Sequence, residues 1–126
     1  MQYLLMIYDE EKAWAKLPAD VRAKLSQDYA EFTREIVKSG HFRAGAQLKP
    51  VSTATTVREQ GGKRLTTDGP FAETKEQFGG YYLVECQDLD EALSLAERIP
   101  SVRVGGAVEV RPLVPTSPGA NLPPAR

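Results

Sequence analysis

Glu109 and Arg111 stand two positions apart in an alternating stretch, AVEVRPL at 107–113. Side chains two apart on a strand leave the same face, so this carboxylate and this guanidinium would act together. If Val108 and Val110 turn to a core, Glu109 and Arg111 turn the other way, and a charge enclosed there needs a partner or a ligand. Arg111 could hold a carboxylate by a forked contact, and Glu109 could move a proton. A salt bridge, within the chain or across a dimer, explains the pair as well. The second group sits in TTDGPFAETKEQFGGYY, residues 66–82. Asp68 reads equally as a turn former and as a general base or hydrogen-bond acceptor at the mouth of a cavity, since loop carboxylates at sheet ends are where sites collect. Gly69, Pro70 and Phe71 are turn and anchor types, with Phe71 as a ligand contact or a plug in the core. Lys75 would meet an anionic ligand or pair with Asp68, and the solvated reading treats Glu73, Lys75 and Glu76 as a short helical turn. Tyr82 and Tyr3 are ring stackers or plain core residues.

Other chemistry has no support in the pattern. His41 follows a helix stop as a surface residue with no partner, so no Ser-His-acid set can be built. One His and one Cys cannot complete a standard zinc set, and no metal site is expected. Cys86, among apolar neighbours, reads as buried and inert. The glycine pairs match neither phosphate-binding fingerprint, and no cofactor is expected. Sixteen basic against seventeen acidic residues leave a net charge of −1, without the cationic footprint of a nucleic-acid binder. No run approaches a bilayer span of about 20 apolar residues. The opening MQYLLMIYDEE lacks the basic region and cleavage site of a signal peptide. Together with a lone cysteine, this predicts a cytoplasmic protein.

The elements that must position these groups follow from the periodicity. Residues 2–8 are an apolar run that fits a strand buried on both faces, and residues 80–86 are a second. DEEKAWAKL reads as a loop whose Trp14 covers a sheet edge. With Pro18 as a first helical residue, Val21, Leu25, Tyr29, Phe32 and Ile36 form the stripe of an amphipathic helix, which Gly40 stops. Residues 41–50 read as an extended segment broken at Gly45. Residues 53–67 form a hairpin turned at Gly61-Gly62. Asp88 and Glu91 make a capping box for a helix striped by Leu89, Ala92, Leu93, Ala96 and Ile99, ended by Pro100. From Pro115 the chain carries four prolines in twelve residues and reads as a flexible tail.

With 126 residues, 41% of them hydrophobic, one domain is expected. Residues 1–114 form it and 115–126 are the tail. Setting the 53–67 hairpin aside as an insertion leaves β-α-β-β-α-β, an α+β ferredoxin-like split βαβ. Two helices roof only one face of such a sheet, yet both inner strands are apolar on both sides. The uncovered face would exceed what monomers expose, so a second copy is expected to cover it, sheet against sheet with two-fold symmetry, enclosing a cavity for a small molecule.

TDGPFAETKEQFGGYYLVE resembles the signature of DGPF-domain proteins, a branch of the YCII-related superfamily, and MQYLLMIY and ERIP…VEVRPL resemble the ends of the same pattern. The resemblance implies a ferredoxin-like fold assembled as a dimeric α+β barrel. It also implies a sigma-factor-linked context for some relatives, and for others enzymes on small, often aromatic, molecules with a His–Asp pair whose His lies in the first helix. This first helix has no histidine; Tyr29 takes the matching position, so the pair does not transfer. Two functions stay open. One is a non-catalytic binding or regulatory module with a small molecule between the sheets of a homodimer. The other is a cofactor-free enzyme for proton transfer, isomerisation or elimination on a small acid, with Asp68 or Glu109 as base and Arg111 as anchor.

Overall fold

The apolar run near the start of the chain becomes an inner strand of an antiparallel sheet. A computed structural model describes residues 1–115. In chain order these form β1 (Gln2–Asp9), α1 (Glu11–Lys16), α2 (Ala19–Lys38), β2 (Phe42–Gln47), β3 (Thr55–Gln60), β4 (Lys63–Asp68), β5 (Gln77–Glu85), α3 (Leu89–Ala96) and β6 (Ala107–Pro112). The main sheet runs β2-β5-β1-β6, and β3-β4 is a separate two-stranded sheet. Without β3 and β4 this is the β-α-β-β-α-β order of a ferredoxin-like α+β fold. Apart from Pro115, the expected tail lies outside the described residues.

Alternation along the inner strands decides which side is core. Tyr3, Leu5 and Ile7 of β1 are 4%, 0% and 6% exposed. They face Val84, Tyr82 and Gly80 of β5 in register. From above, α2 brings Leu25, Phe32 and Ile36, and α3 brings Ala92, Leu95 and Ala96. Each large apolar side chain so enclosed contributes about 1.5–3 kcal/mol. The Phe32 and Tyr82 rings meet edge to face at 5.3 Å, a favoured aromatic arrangement. On the other side of the same strands, Leu4, Met6, Tyr81 and Leu83 are only half-buried. Within one chain the inner strands are therefore covered on one face.

Local signals explain most boundaries. The α2 helix starts at Ala19 with Pro18 as its cap residue, one position from the expected start. The Asp88 side chain accepts the Glu91 amide at 2.9 Å, while Glu91 Oε1 reaches back to the Gln87 amide at 3.2 Å. Between β3 and β4, Gly61 and Gly62 take φ of 60° and 78°, the paired left-handed geometry that a two-residue hairpin turn requires.

Four expectations change. DEEKAWAKL is not a loop: residues 11–16 are helical, because Glu, Lys and Ala are strong helix formers and the turn packs Trp14 toward the sheet. Gly45 does not break its segment. It lies within β2 opposite Tyr82, where a Cβ would meet the Tyr82 ring at 3.0 Å, so its small size makes room for the aromatic core. Residues 73–76 form no helical turn: 73–74 are irregular and 75–76 a bend. Phe71 is 73% exposed rather than anchored in the core; its ring stacks under the Arg58 guanidinium, 4.6 Å away.

Candidate functional site

β1 ends on Asp9, the first acid after an apolar run, and the topology buries half of it. Ser101 lies in the 3-10 turn Pro100–Val104 and is fully enclosed. Its hydroxyl donates to Asp9 Oδ2 at 3.1 Å. With that proton committed, Ser101 Oγ must accept from the Tyr29 hydroxyl, with which it forms a short hydrogen bond. The result is a directed chain from Tyr29 through Ser101 to Asp9, drawn from α2, the turn before β6, and β1. A parallel link runs beside it. Thr33 Oγ1 donates to Tyr29 O at 2.9 Å and so accepts from the Tyr82 hydroxyl at 2.7 Å. Gly106 leaves room for Asp9, since a Cβ there would overlap the carboxylate and crowd the Ser101 carbonyl at 2.9 Å.

These groups line a cleft of about 700 Å³ between α2 and the β2–β5 half of the sheet, with Trp14, Phe42 and Pro50 on its apolar walls. A smaller hollow of about 330 Å³ shares Asp9 and Trp14 and reaches Lys75 and Glu76. The rim is held by Glu11, whose amide donates to Gln77 Oε1 at 2.9 Å and whose carboxylate accepts the Val51 amide at 3.1 Å.

Burial pushes the Asp9 carboxyl above the usual carboxylate range; the Ser101 hydrogen bond opposes the rise and the Glu76 charge adds to it. Burial likewise pushes the Tyr29 phenol up to about 12, against the Ser101 bond. It raises Tyr82 too, against the Thr33 bond. Both phenols stay protonated near neutrality, and Asp9 is a cleft carboxyl that holds its proton more tightly than an ordinary carboxylate.

The residues singled out from sequence fall in three places. Tyr82 lines the larger cleft and Lys75 the smaller. Asp68 closes the β3–β4 hairpin opposite Thr55, and Phe71 follows it, both exposed. No ion pair joins Lys75 to Asp68 among the described residues. Glu109 and Arg111 share the open face of the sheet, as the alternation required, and lie 3.8 Å apart, away from the cleft. The cleft formed by one chain is on the helix side, opposite the side where a cavity between two sheets would form. Tyr3, on the helix face, is a buried core residue.

At the other end of the sheet His41 has the partners it was expected to lack. Its Nδ1 lies 2.6 Å from Ser39 Oγ and its Nε2 3.1 Å from Glu91 Oε1. The Ser39 hydroxyl donates to Ile36 O at 3.2 Å, so this trio does not activate a nucleophile. Cys86 is 3% exposed, and burial, with Glu91 and Glu85 nearby, pushes its thiol up to about 11. In the metal-free protein it therefore rests as a thiol and is not a nucleophile.

The sequence pattern of the YCII-related domain matches residues 1–117. The chain belongs to the YCII-related family. An uncharacterised protein of Rhizobium meliloti (strain 1021) is 36% identical over 120 residues, covering 94% of this chain and 97% of that one. Among solved structures, 5-chloro-2-hydroxyhydroquinone dehydrochlorinase from Burkholderia phenoliruptrix, in complex with 2,5-dihydroxybenzoquinone, superposes with a TM-score of 0.53. It is 16% identical and the match covers 90% of this chain and 94% of that chain. At that identity the likeness is one of fold: the α+β arrangement with an antiparallel sheet is shared. No helix among the described residues is long and apolar enough to cross a membrane.

Proposed function

We propose that this protein binds a small, planar, hydroxylated molecule in the cleft between α2 and the sheet, as a homodimer whose second copy covers the open sheet face. The observation that carries the reading is the Tyr29–Ser101–Asp9 chain at the polar end of a cleft with aromatic walls. Trp14 and Phe42 offer flat apolar surface and Asp9 a single acceptor, the mix of many apolar and few placed polar groups typical of ligand sites. A compound with one ring and a ring hydroxyl or acid group satisfies both. The dehydrochlorinase that shares the fold holds a dihydroxybenzoquinone in its complex, which suits the same size and chemistry. As a binding or regulatory module, the protein would use occupancy itself as its output.

A second reading is favoured by the raised Asp9 carboxyl. A carboxylate that holds its proton more tightly than usual is a better base when ionised and is closer to the working range of general acid–base catalysis. Asp9 would then take a proton from the bound ring compound and return it elsewhere, with Ser101 and Tyr29 supporting its charge, in a cofactor-free isomerisation or elimination. Asp68 and Glu109, on the hairpin and the open face, would contribute only across a dimer.

Calorimetric titration with hydroxybenzoates and hydroxyquinones tests the binding. One compound should bind in the micromolar range, and Asp9→Asn and Tyr29→Phe should each weaken it about tenfold or more. If no such compound binds, or both variants bind as well as the parent, the cleft is not the site. Turnover of a bound compound that vanishes in Asp9→Asn while binding persists would select the enzymatic reading.

A further inference from the structure

We propose that His41, Cys86 and Glu91 form a binding site for a soft divalent cation, with zinc the best match. The imidazole, the thiol and the carboxylate come from three elements: the residue before β2, the residue after β5, and α3. Their ligand atoms all lie within 4.8 Å of one another. Zinc bonds of about 2.0–2.3 Å in tetrahedral array place ligand atoms roughly 3.3–3.7 Å apart, so the site closes by small side-chain rotations.

Hydrogen bonding orients the imidazole for this role. The Ser39 hydroxyl spends its proton on Ile36 O at 3.2 Å, so the contact of 2.6 Å between Ser39 Oγ and His41 Nδ1 needs its proton from Nδ1. With Nδ1 so occupied, Nε2 is the nitrogen aimed at Glu91 Oε1, 3.1 Å away. A ring proton bridges that contact as an ion pair, and a bound cation would take the place of that proton, held by both atoms. An outer hydrogen bond that fixes the tautomer and aims the other nitrogen is how metal-binding histidines are held. Glu91 is fixed as well, by the Gln87 amide at 3.2 Å.

The backbone around the cluster is tied to the sheet. The Glu85 amide donates to His41 O at 2.8 Å and the Cys86 amide to Met1 O at 2.9 Å. Asp88 and Glu85 add negative charge nearby. A thiolate, an imidazole and a carboxylate suit zinc in type and number, and three protein ligands leave a fourth position for water or another donor. On binding, the sulfur–metal bond forms as the Cys86 thiol releases its proton to solvent. The set escapes a search for histidine and cysteine alone because its third member is a helix-capping glutamate.

The test uses the whole chain, stripped with a chelator and titrated with Zn²⁺ or Co²⁺ alone. One zinc per chain should bind, and cobalt should give the charge-transfer absorption of a thiolate ligand. Cys86→Ala should abolish that absorption. His41→Gln and Glu91→Gln, at half-buried positions that leave the core intact, should each weaken zinc binding at least about tenfold, since even outer-sphere changes cost that much. Failure to bind one equivalent, a cobalt spectrum without thiolate character, or equal zinc affinity in the parent and both glutamine variants would overturn the proposal.

Discussion

The two faces of the main sheet are built from the same strands and meet different fates. On the helix face Tyr3, Leu5, Tyr82 and Val84 are closed in by α2 and α3, and the polar atoms among them are all paired: Tyr82 to Thr33, Tyr29 to Ser101, Ser101 to Asp9. On the open face Leu4, Met6, Tyr81 and Leu83 stay half-buried beside the loose ion pair Glu109–Arg111. One face spends its polar groups on each other around a cleft. The other has few polar groups and an unspent apolar surface. The proposed function assigns binding chemistry to the first and association to the second.

A charge placed on the open face breaks this contrast most severely. Leu83→Arg should leave the chain folded, since Leu83 lies outside the helix-side core. In a two-fold interface each substitution counts twice. At about 2 kcal/mol per central apolar contact, the dimer should weaken by ~4 kcal/mol, on the order of a thousandfold. Sedimentation equilibrium reads this directly, and a parent protein that sediments as a monomer removes the basis for the association half of the comparison.

The helix face should answer to a single atom. Tyr29→Phe deletes the donor to Ser101 and leaves a buried hydroxyl oxygen short of a partner. A loss of about 1–3 kcal/mol in urea unfolding is expected, with the sheet and helices otherwise intact. A loss near zero would mean that water replaces the phenol and that the chain of hydrogen bonds is not the organising feature of the cleft.

Much of this fold can be read from local pattern, because local forces set it. The spacing of Leu25, Phe32 and Ile36 dictates α2, Asp88 and Glu91 dictate the start of α3, and Gly61-Gly62 dictate the hairpin. The site is harder to read, because its parts are remote in sequence. Asp9 and Ser101 are 92 residues apart and meet only because β1 lies beside β6 in the finished sheet. One signal was present: Tyr29 is the sole polar-tipped member of an apolar helical stripe, and a hydroxyl carried into a core must find a partner. Asp68 drew attention instead, since a turn with acid, glycine and proline looks like a site. Here those residues close a hairpin, with the Gly69 amide donating to Ala54 O at 2.8 Å and Thr56 Oγ1 to Gly69 O at 2.9 Å. Helix α1 went unread because six residues are too short a window for periodicity to speak.

Proton linkage sharpens the comparison more gently. The folded state holds the Asp9 proton more tightly than the unfolded chain, whose ordinary value is 3.8. Across the interval just above that value the native protein therefore binds more protons, and stability falls as pH rises. Asp9→Asn keeps an acceptor for Ser101 and has no proton to lose, so the parent should lose stability relative to the variant as pH climbs from 4 toward neutrality, by urea midpoints. A parallel pair of curves would show that Asp9 is as well hydrated folded as unfolded.

The smallest effect belongs to Arg111 in the isolated chain. Its guanidinium is exposed and lies 3.8 Å from Glu109, and exposed ion pairs of this kind contribute about 0–1 kcal/mol. Arg111→Ala should therefore shift unfolding by less than ~1 kcal/mol in a monomerised Leu83→Arg background. In the proposed dimer the same substitution would act on a charge shut between two sheets, where removing one member would leave Glu109 buried without its partner, a loss of about 3–5 kcal/mol. The ratio of the two effects measures how dry the open face becomes on association. Equal and small losses in both backgrounds would place the pair at a wet rim and move the centre of the interface toward Leu4 and Leu83.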